Sequence, residues 1–435
     1  MTPTDILAPV FVLGVLVLVH EFGHFWVAKR SGVRVLKFSI GMGPRLAGVR
    51  RGDTEYLLSW IPFGGYVKMA GEDPDEGGTG APDEFMTKRP AVRAAIIAAG
   101  PLMNYVLAIA IYAGIFAIHG VETIDTRLVG EVEAGSAAEK AGFRAGDQIL
   151  SVGGTAIENW EDFGLALDRA PAGALEVRVA RDGGEVAIPV EIPRRGSLAA
   201  LDGLAPFVST EIGDVQKGGP AWNAGLREGD RVLSVGGTAV TRWSELARLV
   251  HKSPGVPLEI RWERGGVEHA ATVTPEVGEV PRSNTETEKA GLIRIGQRWD
   301  RERIAPWRAL LLGADRTWWV TREVLSFFGE LFGGRVSIEM VGGPLRISQI
   351  AGESARWGLT NLFGLMALLS VNLAVLNLLP IPILDGGHLF LLAVEKVMGR
   401  ALSMRQRVVL QQIGLVVIIL LMVTVTAVDF RRWFR

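Results

Sequence analysis

His20-Glu21-Phe22-Gly23-His24 is the densest cluster of chemistry in a chain that holds only 6 histidines. On a helix, positions i and i+4 share a face one turn apart. His20 and His24 would therefore offer two imidazoles to one Zn²⁺. Glu21 projects near the same side and can serve as general base for the water such a metal activates. A catalytic zinc takes three protein ligands and keeps a position open, so a third donor must come from elsewhere. The run from Asn372 to His388 reads NLAVLNLLPIPILDGGH. Pro380 and Pro382 break a helix there, and Asp385 follows the break. Asp385 is the expected third ligand. Its alternative role is the N-cap of the restarting helix, and His388 is the rival ligand. His119, His251 and His269 are read as ordinary.

The elements that would position these groups are strongly apolar. Uncharged stretches run over Ile6–Val19 (resuming from Phe22 to Ala28), Ala94–Ile118, Trp357–Leu384 and Val408–Val428. A helix needs about 20 residues to cross a hydrocarbon core about 30 Å thick. The four stretches predict four transmembrane helices, the first of them retained rather than cleaved, since it lacks a basic leader and a small-residue cleavage site. At about 1.5 Å per residue from Ile6, His20 lies roughly 20 Å into that core. Ionisable groups are costly there and mark function by default. Basic residues flank the spans unevenly: Lys29, Arg30, Arg34, Lys37, Arg45, Arg50, Arg51, Lys68, Lys88, Arg89 and Arg93 in the first link, and Lys396, Arg400, Arg405 and Arg407 in the last. Both links are therefore expected in the cytoplasm, with 119–356 outside. The basic tail Arg431, Arg432 and Arg435 argues weakly the other way.

Composition alone conceals this. The 435 residues are 48% hydrophobic, with 46 basic and 47 acidic side chains and a net charge of −1. These figures suit an ordinary globular protein of two to four domains, at roughly 100–200 residues each. The charge balance argues against a nucleic-acid partner. The absence of cysteine excludes disulfide scaffolds, thiolate zinc fingers, iron–sulfur clusters and cysteine nucleophiles, so any metal must rest on His and carboxylates. The mean hydropathy of +0.26 is the one hint of the spans.

The external segment is duplicated. Residues 129–157 and 212–240 are identical at 16 of 29 positions at an offset of 83, and Trp160 matches Trp243. In each copy a short helix ends at Gly142 or Gly225, and Gly-Asp introduces a strand. The Pro/Gly-rich stretch Pro193–Gly203 reads as the linker. The copies resemble PDZ domains of bacterial proteases, which bind an extended peptide by strand addition. A spacer or steric filter is the alternative.

Taken together, HExxH in a first span, NLLPIPILDGGH in a later one and two PDZ-like domains between the second and third spans resemble the site-2 protease family, over nearly the whole chain. The resemblance implies zinc held by His20, His24 and Asp385, with Glu21 as the base. It implies that Asn372 is important for activity and substrate handling, that Pro380 belongs to the same element, and that Asn377 shares the motif. Ile61–Met69, with Gly64, Gly65 and Tyr66, resembles the family's membrane-associated β-region. A hairpin edge near the metal would hold an unwound substrate whose peptide bonds need partners in a nonpolar setting. Gly100-Pro-Leu-Met-Asn104 matches too, read either as a functional helix interruption or as a packing kink.

The expected architecture is thus a polytopic α-helical membrane protein with a cytoplasmic membrane-associated β-region and two tandem α+β PDZ-like domains outside. Its parts are a first span with HExxH (1–30), the cytoplasmic link (31–92), a second span (93–119), the PDZ-like copies (122–196 and 204–278), a post-PDZ loop with an amphipathic helix (280–356), a third span with LDGG (357–395) and a fourth (405–429). Trp307–Phe332 is aromatic-rich and is expected either on the membrane surface or docked on the PDZ pair or third span. The expected function is intramembrane proteolysis in a bacterial inner membrane, with the active site toward the cytoplasm. The resemblance implies that the substrates are a single-span anti-sigma factor already trimmed by another protease, and remnant signal peptides. A non-catalytic PDZ scaffold holding peptide C-termini is the alternative.

Overall fold

The computed structural model describes residues 3–72, 79–123, 125–192, 201–281, 287–333, 343–400 and 403–433. Residues 193–200 and 282–286, read from the sequence as linker or loop, lie outside these. The chain forms two compact units, 1–119 with 304–435, and 120–303.

The first unit opens with helix α1 (Pro3–Arg30). Strands β1 (Val35–Arg51) and β2 (Thr54–Met69) form a long antiparallel pair that folds back on itself. Lys37–Ile40 is paired to Gly65–Lys68 on one side and to Glu55–Leu58 on the other, which leaves Gly65–Lys68 as an outer edge. Ala28, Val33, Val35, Met69, Phe85 and Ile96 share a core that fastens this sheet to the end of α1 and the start of α2 (Pro90–His119). Pro101 sits inside α2 and the helix is continuous there, so of the two readings of Gly100–Asn104, interruption or packing kink, the interruption is absent.

In the second unit, β3 (Val121–Thr123) precedes the first copy: β4 (Val129–Val132), α3 (Ala137–Ala141), β5 (Gln148–Val152), β6 (Thr155–Ala156), α4 (Trp160–Arg169), β7 (Gly173–Arg181), β8 (Gly184–Ile192) and β9 (Leu204–Pro206). The second copy repeats it: β10 (Ile212–Val215), α5 (Pro220–Asn223), β11 (Arg231–Val235), β12 (Thr238–Ala239), α6 (Trp243–His251), β13 (Leu258–Arg264) and β14 (Val267–Val273). It then adds a hairpin, β15 (Glu276–Pro281) and β16 (Thr287–Leu292), before β17 (Ile295–Gln297). Each copy has the same four-stranded sheet order, β6-β5-β7-β8 and β12-β11-β13-β14. β18 (Asp300–Glu302) pairs with β3 and closes the unit.

The copies extend further than the repeat suggested. β9 pairs with β4, and Leu201 and Leu204 pack in the first core, although the sequence reading ended that copy at 196 and gave 204 onward to the next. Likewise β17 pairs with β10, and Ile293 lies in the second core, beyond the expected end at 278. The reason is that each short first strand needs a partner, and the chain supplies it only after completing the copy. Part of the expected post-PDZ loop is therefore strand.

Both copies are pinned by one ion-pair motif at the 83-residue offset. Arg181 grips the buried Asp147 through two bonds of 2.6 and 2.7 Å and also donates to the Gly142 carbonyl. Arg264 does the same to Asp230 and Gly225.

Back in the first unit, α7 (Pro306–Phe332) is followed by α8 (Pro344–Trp357), α9 (Leu359–Leu378), α10 (Asp385–Met398) and α11 (Met404–Trp433). α1, α2 and α9 are long and apolar enough to cross a membrane. The fourth expected span falls within α11. The third is split: α9 ends before Pro380, and α10 restarts at Asp385. α7 docks on α2 and, less extensively, α9. A Cβ on Gly313 would lie 2.8 Å from the backbone of Ala113, so only glycine allows that approach. The buried stripe Ala309, Thr317, Val320 and Thr321 continues the contact, while Trp307, Trp318 and Trp319 are exposed.

Candidate active site

Two helix pairs bring the chemistry together. α1 and α2 approach closely because Gly23 and Gly100 leave room: a Cβ on Gly23 would stand 2.3 Å from the Ala99 carbonyl oxygen, and one on Gly100 would stand 2.3 Å from His24 Nε2. The two imidazoles therefore lie against bare backbone. On the other side, the Pro-broken segment folds back under α10. A Cβ on Gly386 would meet the carbonyl oxygens of Leu378 and Leu379 at 2.3 Å, and one on Gly387 would meet that of Ile381 at 2.1 Å. The Gly-Gly pair is what lets the first turn of α10 sit on its own preceding loop, and Asp385 heads that turn.

The result is a triangle of ligand atoms. Asp385 Oδ2 lies 3.1 Å from His20 Nε2 and 3.6 Å from His24 Nε2, and the two Nε2 atoms are 3.3 Å apart. Zinc bonds of about 2.0–2.1 Å meeting at tetrahedral angles put ligand atoms about 3.4 Å apart, so the three edges match a zinc-sized hole. The donor set fits as well: two nitrogens and one carboxylate oxygen, leaving a fourth position free. Among the described residues, this is the one such cluster of His, Asp or Glu. The N-cap role considered for Asp385 falls to Leu384, which makes no side-chain cap.

Tautomers follow from the outer contacts. His24 Nδ1 is 2.8 Å from the carbonyl oxygen of Ile96, which can only accept. Nδ1 therefore carries the proton, and Nε2 keeps its lone pair for a metal. His20 Nδ1 faces the side-chain amide of Asn104 at 3.3 Å, and the backbone carbonyl of Asn104 accepts from the Ser370 hydroxyl on α9 at 2.8 Å.

Glu21 stands beside the triangle in a cavity of about 400 Å³, lined also by Tyr66, Val67, Phe85, Arg93, His388 and Glu395. Val67 of the sheet edge lines the same cavity as Glu21. A Cβ on Gly65 would lie 3.2 Å from Glu21 Cγ, so the sheet edge touches the acid directly. Arg93 on α2 and Glu395 on α10 face each other at 3.9 Å.

Of the residues expected from the sequence, His20, Glu21, His24 and Asp385 converge here, with Tyr66 and Gly65 beside them. Gly64, with φ of 97°, packs on Met42 instead. Asn372 and Asn377 on α9 are partly exposed and Pro380 is exposed, and these three are not among the residues lining the cavity. His388 lines it without joining the triangle. The sequence names Asn104 only as the end of the Gly100–Asn104 match, with no contact to a ligand, and does not single out Ser370 or the Ile96 carbonyl. A signal existed for Asn104, since it is the only carboxamide within Ala94–Ile118.

Residues 8–421 match the family model "Peptidase family M50". A Neisseria meningitidis protein named as a zinc metalloprotease is 38% identical over 98% of this chain and 97% of its own length. Protease RseP of Yersinia pestis is 35% identical over 97% of each chain. The regulator of sigma-E protease RseP of Escherichia coli is 34% identical over 98% of each.

Proposed function

The chain belongs to peptidase family M50 and is a zinc metalloprotease, and on that premise we propose that it is an intramembrane endopeptidase of regulated proteolysis, with His20, His24 and Asp385 as metal ligands and Glu21 as general base. The observation that carries this reading is the triangle of 3.1, 3.3 and 3.6 Å edges drawn from two helices more than 350 residues apart in sequence. A zinc ion there supplies Lewis-acid activation of water and of the scissile carbonyl. Glu21 takes the proton of the attacking water and delivers it to the leaving amine. The edge Gly65–Lys68 offers backbone partners to a substrate strand laid along it, so the unwound peptide loses no hydrogen bonds in a nonpolar setting. The partly exposed amides of Asn372 and Asn377 on an apolar helix would meet the same substrate as it arrives from lipid.

In this reading α11 is a fourth span, and the two basic links face the cytoplasm. The duplicated domains are PDZ-like and lie outside, where they exclude untrimmed substrates, hold a new C-terminus, or both. The substrate is a single-span membrane protein of the anti-sigma-factor kind, cut first by another protease, with remnant signal peptides as further substrates. The relatives named for sigma-E regulation support that assignment. The scaffold alternative has no use for a complete ligand triangle with a base beside it.

The test is cleavage of a model single-span substrate by wild type and Glu21→Gln in detergent, with zinc content measured on both. The expected result is equal zinc and a rate at least about 100-fold lower in the variant, within the usual worth of a general base. Equal cleavage by the variant would refute the mechanism.

A further inference from the structure

Ile96, Gly100 and Asn104 stand at successive i+4 positions and so form one stripe of α2. Opposite them, His24 and His20 stand four apart on α1. The pairing is orderly: the Ile96 carbonyl holds His24 Nδ1 at 2.8 Å, Gly100 makes room for both rings, and Asn104 meets His20 Nδ1 at 3.3 Å. The two contacts differ in one respect. The Ile96 carbonyl must accept, whereas a carboxamide can present either its oxygen or its NH₂.

Asn104 has no solvent exposure, and its Oδ1 is buried without a partner among the described residues while Nδ2 faces His20. That orientation cannot serve metal binding. An NH₂ donating to Nδ1 would force the His20 proton onto Nε2, the atom that points into the triangle. Amide oxygen and nitrogen are nearly the same size, and their assignment is decided by the hydrogen-bond network. Turning the amide over places Oδ1 on Nδ1–H and frees the Nε2 lone pair, while Nδ2 takes the buried place where Oδ1 stood; the need of a metal for that lone pair decides between the two orientations. We propose that Asn104 is the positioning residue of His20, accepting the Nδ1 proton through Oδ1 and so fixing the tautomer and ring angle that the metal requires. Ser370 keeps Asn104 in place by donating to its backbone carbonyl from α9. One residue thereby ties α1, α2 and α9 at the level of the site. The inference rests on the reading of His20, His24 and Asp385 as a zinc site.

The experiment is zinc affinity of the full chain in detergent, measured by competition with a chromophoric chelator for wild type, Asn104→Asp and Asn104→Leu. Melting of the zinc-free proteins is recorded alongside. A carboxylate can accept and cannot donate, so Asn104→Asp separates the two orientations. The expected result is wild-type or tighter affinity for Asn104→Asp and a loss of about 10–100-fold for Asn104→Leu, as for other partners of metal-bound histidines, with little change in zinc-free melting. Should Asn104→Leu fail to fold, Asn104→Asp decides alone. Loss of affinity in Asn104→Asp, or none in a folded Asn104→Leu, overturns the positioning role and leaves the zinc site standing. A wild-type chain that binds no zinc overturns both.

Discussion

Gly100 and His24 are packed so closely that a single added carbon on the glycine would stand 2.3 Å from the imidazole Nε2, and 2.8 Å from Cε1 of His20. Gly100→Ala therefore has to push both rings off the triangle. The expected outcome is zinc affinity reduced at least about 10-fold, comparable to loss of an outer partner. Gly114→Ala, on the same helix with nothing among the described residues within 4 Å of the new carbon, is the control. It should bind zinc normally and be stabilised by up to about 1 kcal/mol from helix propensity. Chelator competition and thermal melting read both.

In the sequence Asp385 and His388 are rivals for the third ligand; in the structure it is Asp385 whose carboxylate stands beside both imidazoles. Asp385→Ala should lower zinc affinity by more than the roughly 10–100-fold that loss of an outer hydrogen-bond partner costs, because Oδ2 forms two edges of the triangle. His388→Ala should keep zinc stoichiometry unchanged. The reverse pattern, measured by metal analysis after dialysis, would move the ligand to His388.

Gly65 separates metal binding from catalysis. A Cβ there would meet the Ser39 carbonyl oxygen at 2.8 Å and Glu21 Cγ at 3.2 Å. Gly65→Ala is expected to displace the Glu21 side chain and slow cleavage toward the ~100-fold expected for a misplaced base. Bound zinc should stay at wild-type stoichiometry. Steady-state cleavage and zinc content on the same preparation are the two readouts, and a parallel fall in both would contradict the assignment.

Arg181 and Arg264 test the duplicated domains. Asp147 and Asp230 are almost fully buried, so removing an arginine leaves a buried carboxylate without its cation, held by the backbone N–H of Arg144 or Arg227. Arg181→Met should destabilise its copy by about 3–5 kcal/mol. Arg264→Met should act in the same direction but less, since that guanidinium is 42% exposed against 16% and its pair is better screened. Denaturant unfolding of the full chain with domain-resolved proteolysis distinguishes the copies.

Much of this was legible without coordinates because it is periodic or local. HExxH needs only the turn of a helix, the three helices able to cross a membrane need only length and hydropathy, and the duplication is plain at a constant offset. What stayed hidden depended on contacts between segments distant in sequence. The copy boundaries were misplaced because β4 and β10 find their partners more than 70 residues later. The docking of α7 was left open because an aromatic face signals an interface, whereas the small-residue stripe around Gly313 is what binds α2. Asn372, Asn377 and Pro380 share a motif with Asp385, yet the turn at Pro380 sends the aspartate into the cavity and leaves the others outside it.

The sequence by itself determined the reaction class: two imidazoles and a carboxylate at helical spacing inside an apolar helix, in a chain with no cysteine to offer a rival metal site. Only the tertiary structure decided how that metal site is completed and held. Glycines at 23, 100, 386 and 387 matter for the Cβ they lack, and the free valence of Asn104 is visible only when α1 lies against α2. Absent atoms and orphaned hydrogen-bond groups leave no pattern in one dimension, because their meaning comes from the neighbour that fills the space.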